Sequence, residues 1–360
     1  MGENILIVHG GGPTSVINAS LYGAVKEAKK YKEIEHIYAA KNGTGGLMRE
    51  ELIELENVPD EKFELLMIGT SRDQIEQAEY DRMIEVLLKK NIKYVLFNGG
   101  NGSMDTCGKL YKNCQARGLD IRVMGIPKTH DNDIAITDHS PGYGSIARYM
   151  AQSVKEVAAD VKGLPIHVVV VEALGRNAGW TTAASALADD GDGVGPDLIY
   201  LPERPFDEEK FLDDVKKLLE KKSGIVVVAS EGLRDKDGKP IVEPIFQVGR
   251  ATYFGDVSQH LANLVIKKLG YKARGEKPGL VGRAAAHEQS PVDREEAVLA
   301  GKMACEAIMN GESGKMVAFE RVSTEPYVMK PFLVDIDKVM MYERTMPDEF
   351  INEEGNGVTE

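Results

Sequence analysis

Residues 127–133 of this chain place a lysine, a hydroxyl, a histidine and two carboxylates in one short stretch: Lys128, Thr129, His130, Asp131 and Asp133. A carboxylate in such a turn can take the proton from an attacking hydroxyl. A lysine beside it can hold the phosphoryl group that the hydroxyl attacks. The stretch follows an apolar run at 121–126 with strand character, so it sits just beyond a strand's carboxyl end. Open α/β sheets hold their ligands there.

Three more turns stand in the same place relative to apolar runs. The first contains Gly10, Gly11 and Gly12 and leads to Ser15. Glycines let a backbone approach an anion, and a following helix N-terminus favours negative charge. This turn matches neither the dinucleotide fingerprint nor the P-loop pattern, so phosphate binding and a plain tight turn both remain open from it alone. The second runs from Asn98 through Gly99, Gly100, Asn101 and Gly102 to Ser103. Two such turns on neighbouring strands would form one cradle of backbone N–H groups. The third contains Leu174, Gly175 and Arg176, where an arginine at a strand end can grip a phosphate with two hydrogen bonds. Two other patterns carry no such reading. Asp189, Asp190 and Asp192 lack the glycine and terminal glutamate of a calcium loop. His287-Glu288 lacks the second histidine of a zinc protease.

The elements that must position these turns alternate. Apolar strands are expected at 5–8, 94–97, 121–126, 167–172, 198–201 and 225–229. Helical periodicity covers 15–31 with Ser15 as its cap, then a start near Ser103, then about 145–161, a start near Gly179, and 207–221. Residues 235–238 have hairpin-turn composition. The alternation predicts an α/β fold with mostly parallel sheets covered by helices on both faces.

The 360 residues, 42% hydrophobic and 28% charged, are those of a globular protein long enough for two lobes. No apolar run is long enough for a membrane span, and the N-terminus lacks the basic and apolar regions of a signal peptide. Three cysteines without a CxxC pair fit a reduced, cytoplasmic protein. The net charge of −13 opposes nucleic acid as a partner. It also opposes phosphate ligands, so local cations and backbone amides must overcome it.

In this order and spacing the turns resemble those of the phosphofructokinase family over nearly the whole chain. The anchors are Gly11 and Gly12, residues 100–103, residues 127–133, Leu174 with Gly175 and Arg176, Ser230 with Glu231 and Gly232, and Arg283. Residues 11–18, 99–101, 127–128 and 346–351 are similar to the pyrophosphate-using branch, which usually runs somewhat beyond residue 360. The resemblance implies a two-lobed phosphofructokinase-like fold. Its larger, phosphoryl-donor lobe would take 1–137 plus about 252–310, the smaller sugar-phosphate lobe 138–251, and a C-terminal extension 311–360.

The resemblance also implies roles. Asp131 is the base for the 1-hydroxyl of fructose 6-phosphate, Asp133 supports it, and Thr129 and Lys128 contact the transferred phosphoryl group. Leu174, Gly175, Arg176, Glu231 and Arg283 hold the sugar phosphate. Arg274 joins them from a neighbouring subunit of a homodimer or homotetramer. Gly11, Arg72, Gly100, Asn101, Gly102 and Ser103 form the donor site, with Mg2+ as cofactor. The product would be fructose 1,6-bisphosphate, a step of glycolysis.

Four residues depart from the family pattern. Asn101 stands where the metal-binding aspartate is usual and is a weaker magnesium ligand. Gly102 stands where pyrophosphate users carry aspartate, and it leaves room for a nucleotide's α-phosphate. His130 and Leu174 replace an aliphatic residue and a methionine. Gly102 makes ATP the expected donor and pyrophosphate the alternative. A catalytically silent binding protein is the alternative of another class, opposed by the intact Thr129, Asp131 and Asp133 set. A lipid or NAD kinase would share a Gly-Gly turn but would not need Gly175 and Arg176.

Overall fold

The computed structural model describes residues 2–164, 166–248 and 251–359. Along the chain come β1 (Glu3–His9), α1 (Ile17–Ala28), β2 (Ile34–Ala40), α2 (Gly43–Met48), β3 (Leu52–Glu54), α3 (Gln77–Lys89), β4 (Ile92–Gly99), α4 (Asn101–Ala116) and β5 (Arg122–Pro127). Next are α5 (Tyr143–Gly163), β6 (Val168–Ala173), α6 (Trp180–Ala183), β7 (Leu198–Tyr200), α7 (Glu208–Leu219) and β8 (Ile225–Ser230). The chain continues through β9 (Pro244–Val248), β10 (Ala251–Phe254), α8 (Val257–Leu269), β11 (Ala273–Glu276) and α9 (Gly279–Ala284). It ends with α10 (Pro291–Met309), β12 (Lys315–Ser323) and β13 (Val328–Asp335).

Contacts divide the chain into two compact units, residues 1–144 with 289–344, and residues 145–288 with 345–360. Unit 1 is built on a seven-stranded sheet in the order β13-β12-β5-β4-β1-β2-β3. Its central pairings are parallel, and only β2–β3 and β12–β13 are antiparallel. Alternate residues of β1 feed opposite cores. Leu6 and Val8 pack with α3 and α4, and Ile5 and Ile7 pack with α1 and α10. Burial on both faces is what makes these strands near-continuous apolar runs. Unit 2 has a parallel four-stranded sheet, β11-β6-β8-β7, and a separate antiparallel pair, β9–β10. Its core joins Val168, Val170 and Val227 to Phe211 of α7 and Leu261 of α8.

Helix starts follow local chemistry where a side chain reaches the first turn. Asp207 accepts from the N–H groups of Glu209 and Lys210 ahead of α7, and Ser290 accepts from Asp293 ahead of α10, which has Pro at its start. Ser15 does not cap α1. The preceding residue of that helix is Val16, and no side chain caps it. The helix expected from Gly179 is a single turn, α6, continued by a 3-10 turn. The hairpin turn at 235–238 is present, with the Gly238 N–H donating to the Asp235 carbonyl.

The units also depart from the expected lobes. The chain re-enters unit 1 at Gln289 rather than near 252, because β11 pairs with β6 and commits everything up to α9 to unit 2. The expected 311–360 extension is divided. β12 pairs with β5 inside the large sheet, whereas residues 345–360 belong to unit 2, where the Met346 N–H donates to Glu203. No described helix is long and apolar enough to cross a membrane. The three cysteines are buried and unbridged.

Candidate active site

In unit 1 the strand ends of β1, β4 and β5 lie side by side, so their turns meet. Gly99 pairs with Pro127, and the Lys128 N–H donates to the Gly99 carbonyl. Ser103, in the first turn of α4, locks the two glycine turns together. A Cβ on Gly10 or on Gly99 would lie 2.1 Å from its Oγ, so neither position admits a side chain. Gly11 has φ +74 and is held by Thr70 and Ser71: its N–H donates to the Ser71 carbonyl, and its carbonyl accepts from Thr70 Oγ1. Arg72, exposed, comes next at this rim. The Ser103 N–H donates to the Gly100 carbonyl, whereas the N–H groups of Asn101 and Gly102 at the start of α4 precede any carbonyl they could reach within the helix and are donors for an anion. Gly102 lies among them, exposed, and a Cβ there would meet nothing within 4 Å.

The Lys128 side chain is 1% exposed. Its Nζ donates to the carbonyls of Gly10 (3.1 Å) and Gly12 (2.5 Å), which pins the cation under the first glycine turn. Nearby His9 is buried, and burial followed by the Lys128 charge pushes its pKa down to about 3, so it is neutral. Thr129 pairs with Gly142 through a β-bridge, and its Oγ1 accepts from the Asp131 N–H at 3.1 Å. Asp131 keeps a third of its side chain exposed, with His130 Nε2 3.1 Å from Oδ1.

Asp133 is deeper. Asn101 Nδ2 donates to its carbonyl and to its Oδ2, each at 2.9 Å. Burial first, then the negative charges of Asp131 and Glu343, raise its pKa to about 7. Its Oδ1 is buried with no hydrogen-bond partner. Glu343 and Arg344 were not foreseen. Ile134 bridges to Glu343, and the Arg344 N–H donates to the Asp133 carbonyl, although about 210 residues of sequence separate them from the turn.

In unit 2 two strand-end turns clasp each other. Glu231 Oε1 accepts from the Gly175 N–H (3.2 Å), and Ser230 Oγ donates to the Gly175 carbonyl (2.8 Å). A Cβ on Gly232 would fall 1.7 Å from the Arg176 carbonyl oxygen, which fixes glycine there. Arg176 is exposed, its guanidinium 5.4 Å from the centre of the Phe254 ring. Leu174 and Arg283 are half-buried, the latter in α9.

Arg274 stands apart. It pairs with Val169 near the start of β6, whereas Leu174 lies just past the strand's end. Five residue steps along the strand direction, roughly 16 Å, separate those levels. Arg274 lines a groove of about 480 Å3 with Tyr149, Ser153 and Glu276, and its Nε is 3.8 Å from Glu276 Oε1. His287 is exposed in a 3-10 turn. Asp189, Asp190 and Asp192 form an exposed turn held by its own backbone N–H groups and by Lys155.

The phosphofructokinase family model matches residues 4–308. The chain is 38% identical to the pyrophosphate–fructose 6-phosphate 1-phosphotransferase of Xanthomonas campestris, covering 99% of this chain and 89% of that one. It is 33% identical to the sulfofructose kinase of Alkalicoccus urumqiensis, over 97% and 92% of the two chains. The solved structure of a pyrophosphate-dependent phosphofructokinase from Nitrosospira multiformis superposes with a TM-score of 0.91 at 36% identity, covering 99% of this chain and 89% of that one.

Proposed function

This chain belongs to the phosphofructokinase family and is an enzyme that transfers a phosphoryl group to a hydroxyl, and from that premise we propose that it phosphorylates the 1-hydroxyl of fructose 6-phosphate with pyrophosphate as donor. Similarity over almost the full chain to relatives named for that reaction carries the donor assignment. It sets aside the expectation of ATP as the first choice.

The Asp131 carboxylate takes the proton of the 1-hydroxyl as that oxygen attacks the donor's terminal phosphorus. The bond from that phosphorus to the bridging oxygen breaks, and phosphate leaves. Thr129 orients the moving phosphoryl group and Lys128 offsets its charge, acting with the backbone N–H groups of residues 100–102, beside Gly11 and Ser103, and with Arg72. Such fixed donors stabilise charge without reorganising during the reaction. Leu174, Gly175, Arg176, Glu231 and Arg283 bind the sugar phosphate. Arg274, at the level of the far end of β6, serves the site of a neighbouring copy in a homodimer or homotetramer.

A magnesium ion fits the donors in unit 1. They are hard oxygens, and the buried Asp133 Oδ1 lacks a partner. Asn101 offers only its carbonyl oxygen, since its amide nitrogen is taken by Asp133. These two residues would hold the ion, which supplies charge neutralisation on the donor's phosphates.

A second reading, ATP as donor, rests on Gly102, because open space beside the α4 N-terminus leaves room for a nucleotide's further phosphates. Initial rates with each donor at saturating fructose 6-phosphate decide between them. Turnover with neither donor sinks both.

A further inference from the structure

Segment 137–142 links the catalytic turn to α5 and lies against that turn. The Thr129 N–H donates to the Pro141 carbonyl (3.1 Å), Thr129 bridges to Gly142, and the Ser140 N–H donates to Asn132 Oδ1 (3.0 Å). Whatever fixes this segment fixes the backbone that carries Thr129 and Asp131. Its centre is His139, buried and clamped between two carboxylates. Nδ1 lies 3.0 Å from Asp138 Oδ2, and Nε2 lies 2.5 Å from Glu296 Oε2 on α10. An imidazole has a hydrogen at both nitrogens only when protonated, so this geometry calls for the imidazolium.

The clamp is itself braced. Arg321 of β12 grips both oxygens of Asp138, at 3.1 and 2.9 Å. The Tyr327 hydroxyl donates to Glu296 Oε1 at 2.6 Å. The His139 ring stacks on Phe319, 5.7 Å between centres and 17° apart. The Gly142 N–H is held by Asp293 at 2.8 Å. The titratable and charged groups around His139 are thus Asp138 on its own segment, Glu296 and Asp293 on α10, Arg321 on β12, Tyr327 beyond it, and Tyr143 at the start of α5. Arg344 donates to the Asp138 carbonyl.

We propose that protonated His139 is a positioning residue for phosphoryl transfer: its two-sided clasp with Asp138 and Glu296 holds segment 137–142, and through it the Thr129–Asp131 turn, in the reactive geometry. Loss of the proton leaves one nitrogen facing a carboxylate without a hydrogen. That end of the clasp then opens, and the base is displaced although every group that touches substrate is intact. Small displacements of reacting groups are costly to rate. Burial opposes the charge, but the hydrogen bonds and charges of Asp138 and Glu296 outweigh it and raise the pKa to about 9, so the clasp is closed at neutral pH.

The test is the pH profile of kcat for the native oligomer with fructose 6-phosphate and the donor that supports turnover. This assay rests on the proposed function, and absence of turnover with either donor is a failure of that reading, distinct from those below. The wild type should hold kcat from pH 7 to about 8.5 and lose it as pH passes 9. His139→Gln should lower kcat roughly tenfold at pH 7.5. It should leave KM for the sugar phosphate within twofold and abolish the alkaline limb. Glu296→Gln removes one of the two supporting charges and should move that limb at least one pH unit lower. Wild-type kcat in His139→Gln, or a limb at the same pH in either variant, overturns the proposal. If neither variant folds, a wild-type kcat that is flat to pH 10 overturns it.

Discussion

The two units hold their candidate residues differently. In unit 1 most of the groups are fixed before any ligand arrives, Arg72 at the rim being the exposed exception. Lys128 is buried on two carbonyls, Asp133 is tied by Asn101 and the Arg344 backbone, and Ser103 wedges two glycine turns into one surface. In unit 2 the turn backbones are clasped, but the cations are not buried. Arg176 is exposed beside Phe254, and Arg274 is 61% exposed with Glu276 at 3.8 Å. Groups fixed in advance act on the transition state. Groups that become ordered with the substrate act mainly on its affinity. Unit 1 should therefore govern kcat and unit 2 should govern KM.

The hardest blow to that contrast would come from Asp131. Asp131→Asn should lower kcat about 10²–10⁴-fold with KM for the sugar phosphate little changed. Near-normal turnover in the folded variant, by steady-state kinetics, removes the base from unit 1. Next is Arg176→Ala in unit 2. Losing charge-assisted hydrogen bonds should raise KM roughly 10–100-fold while kcat stays within a few-fold. A fall in kcat alone would erase the difference between the units.

Gly102→Asp sharpens the donor side of unit 1. Because a side chain there meets open space, any effect is electrostatic rather than a clash. Any ATP-supported rate should drop at least about tenfold, since like charges in a partly desolvated site repel by more than ~1.4 kcal/mol. The pyrophosphate rate should change less than twofold, and equal losses with both donors contradict the assignment. The smallest effect is on stability. The pKa of His139 is raised to about 9 from its ordinary value of 6.5. The stability it contributes is complete below pH 6.5 and is lost as pH rises to about 9, on the order of 3 kcal/mol. Calorimetry should show the melting temperature falling by several degrees across that window, and less in His139→Gln.

The strand-end turns were legible because burial on both faces writes β1, β4, β5, β6 and β8 as apolar runs, and glycine marks the turn beyond most of them. The contacts that join the turns were not legible. Ser103 as the wedge, Lys128 on the first glycine turn and Asn101 on Asp133 are contacts between strands distant in sequence. Glu343 and Arg344 lie in a stretch without periodicity, and only the added strands β12 and β13 bring them to Asp133. The return at Gln289 was missed because no composition change marks it, and strand pairing alone sets it. Ser15 misled for the opposite reason. It is a good cap by type, but the helix begins beyond it, and the Ser15 carbonyl instead accepts from the Gln289 side chain.

The most direct measurement is a pair of initial rates at saturating fructose 6-phosphate and magnesium, one with pyrophosphate and one with ATP. Pyrophosphate should support turnover at least ten times faster than ATP. A rate with ATP equal to or above that with pyrophosphate would contradict the donor assignment and make the open space at Gly102 the better guide.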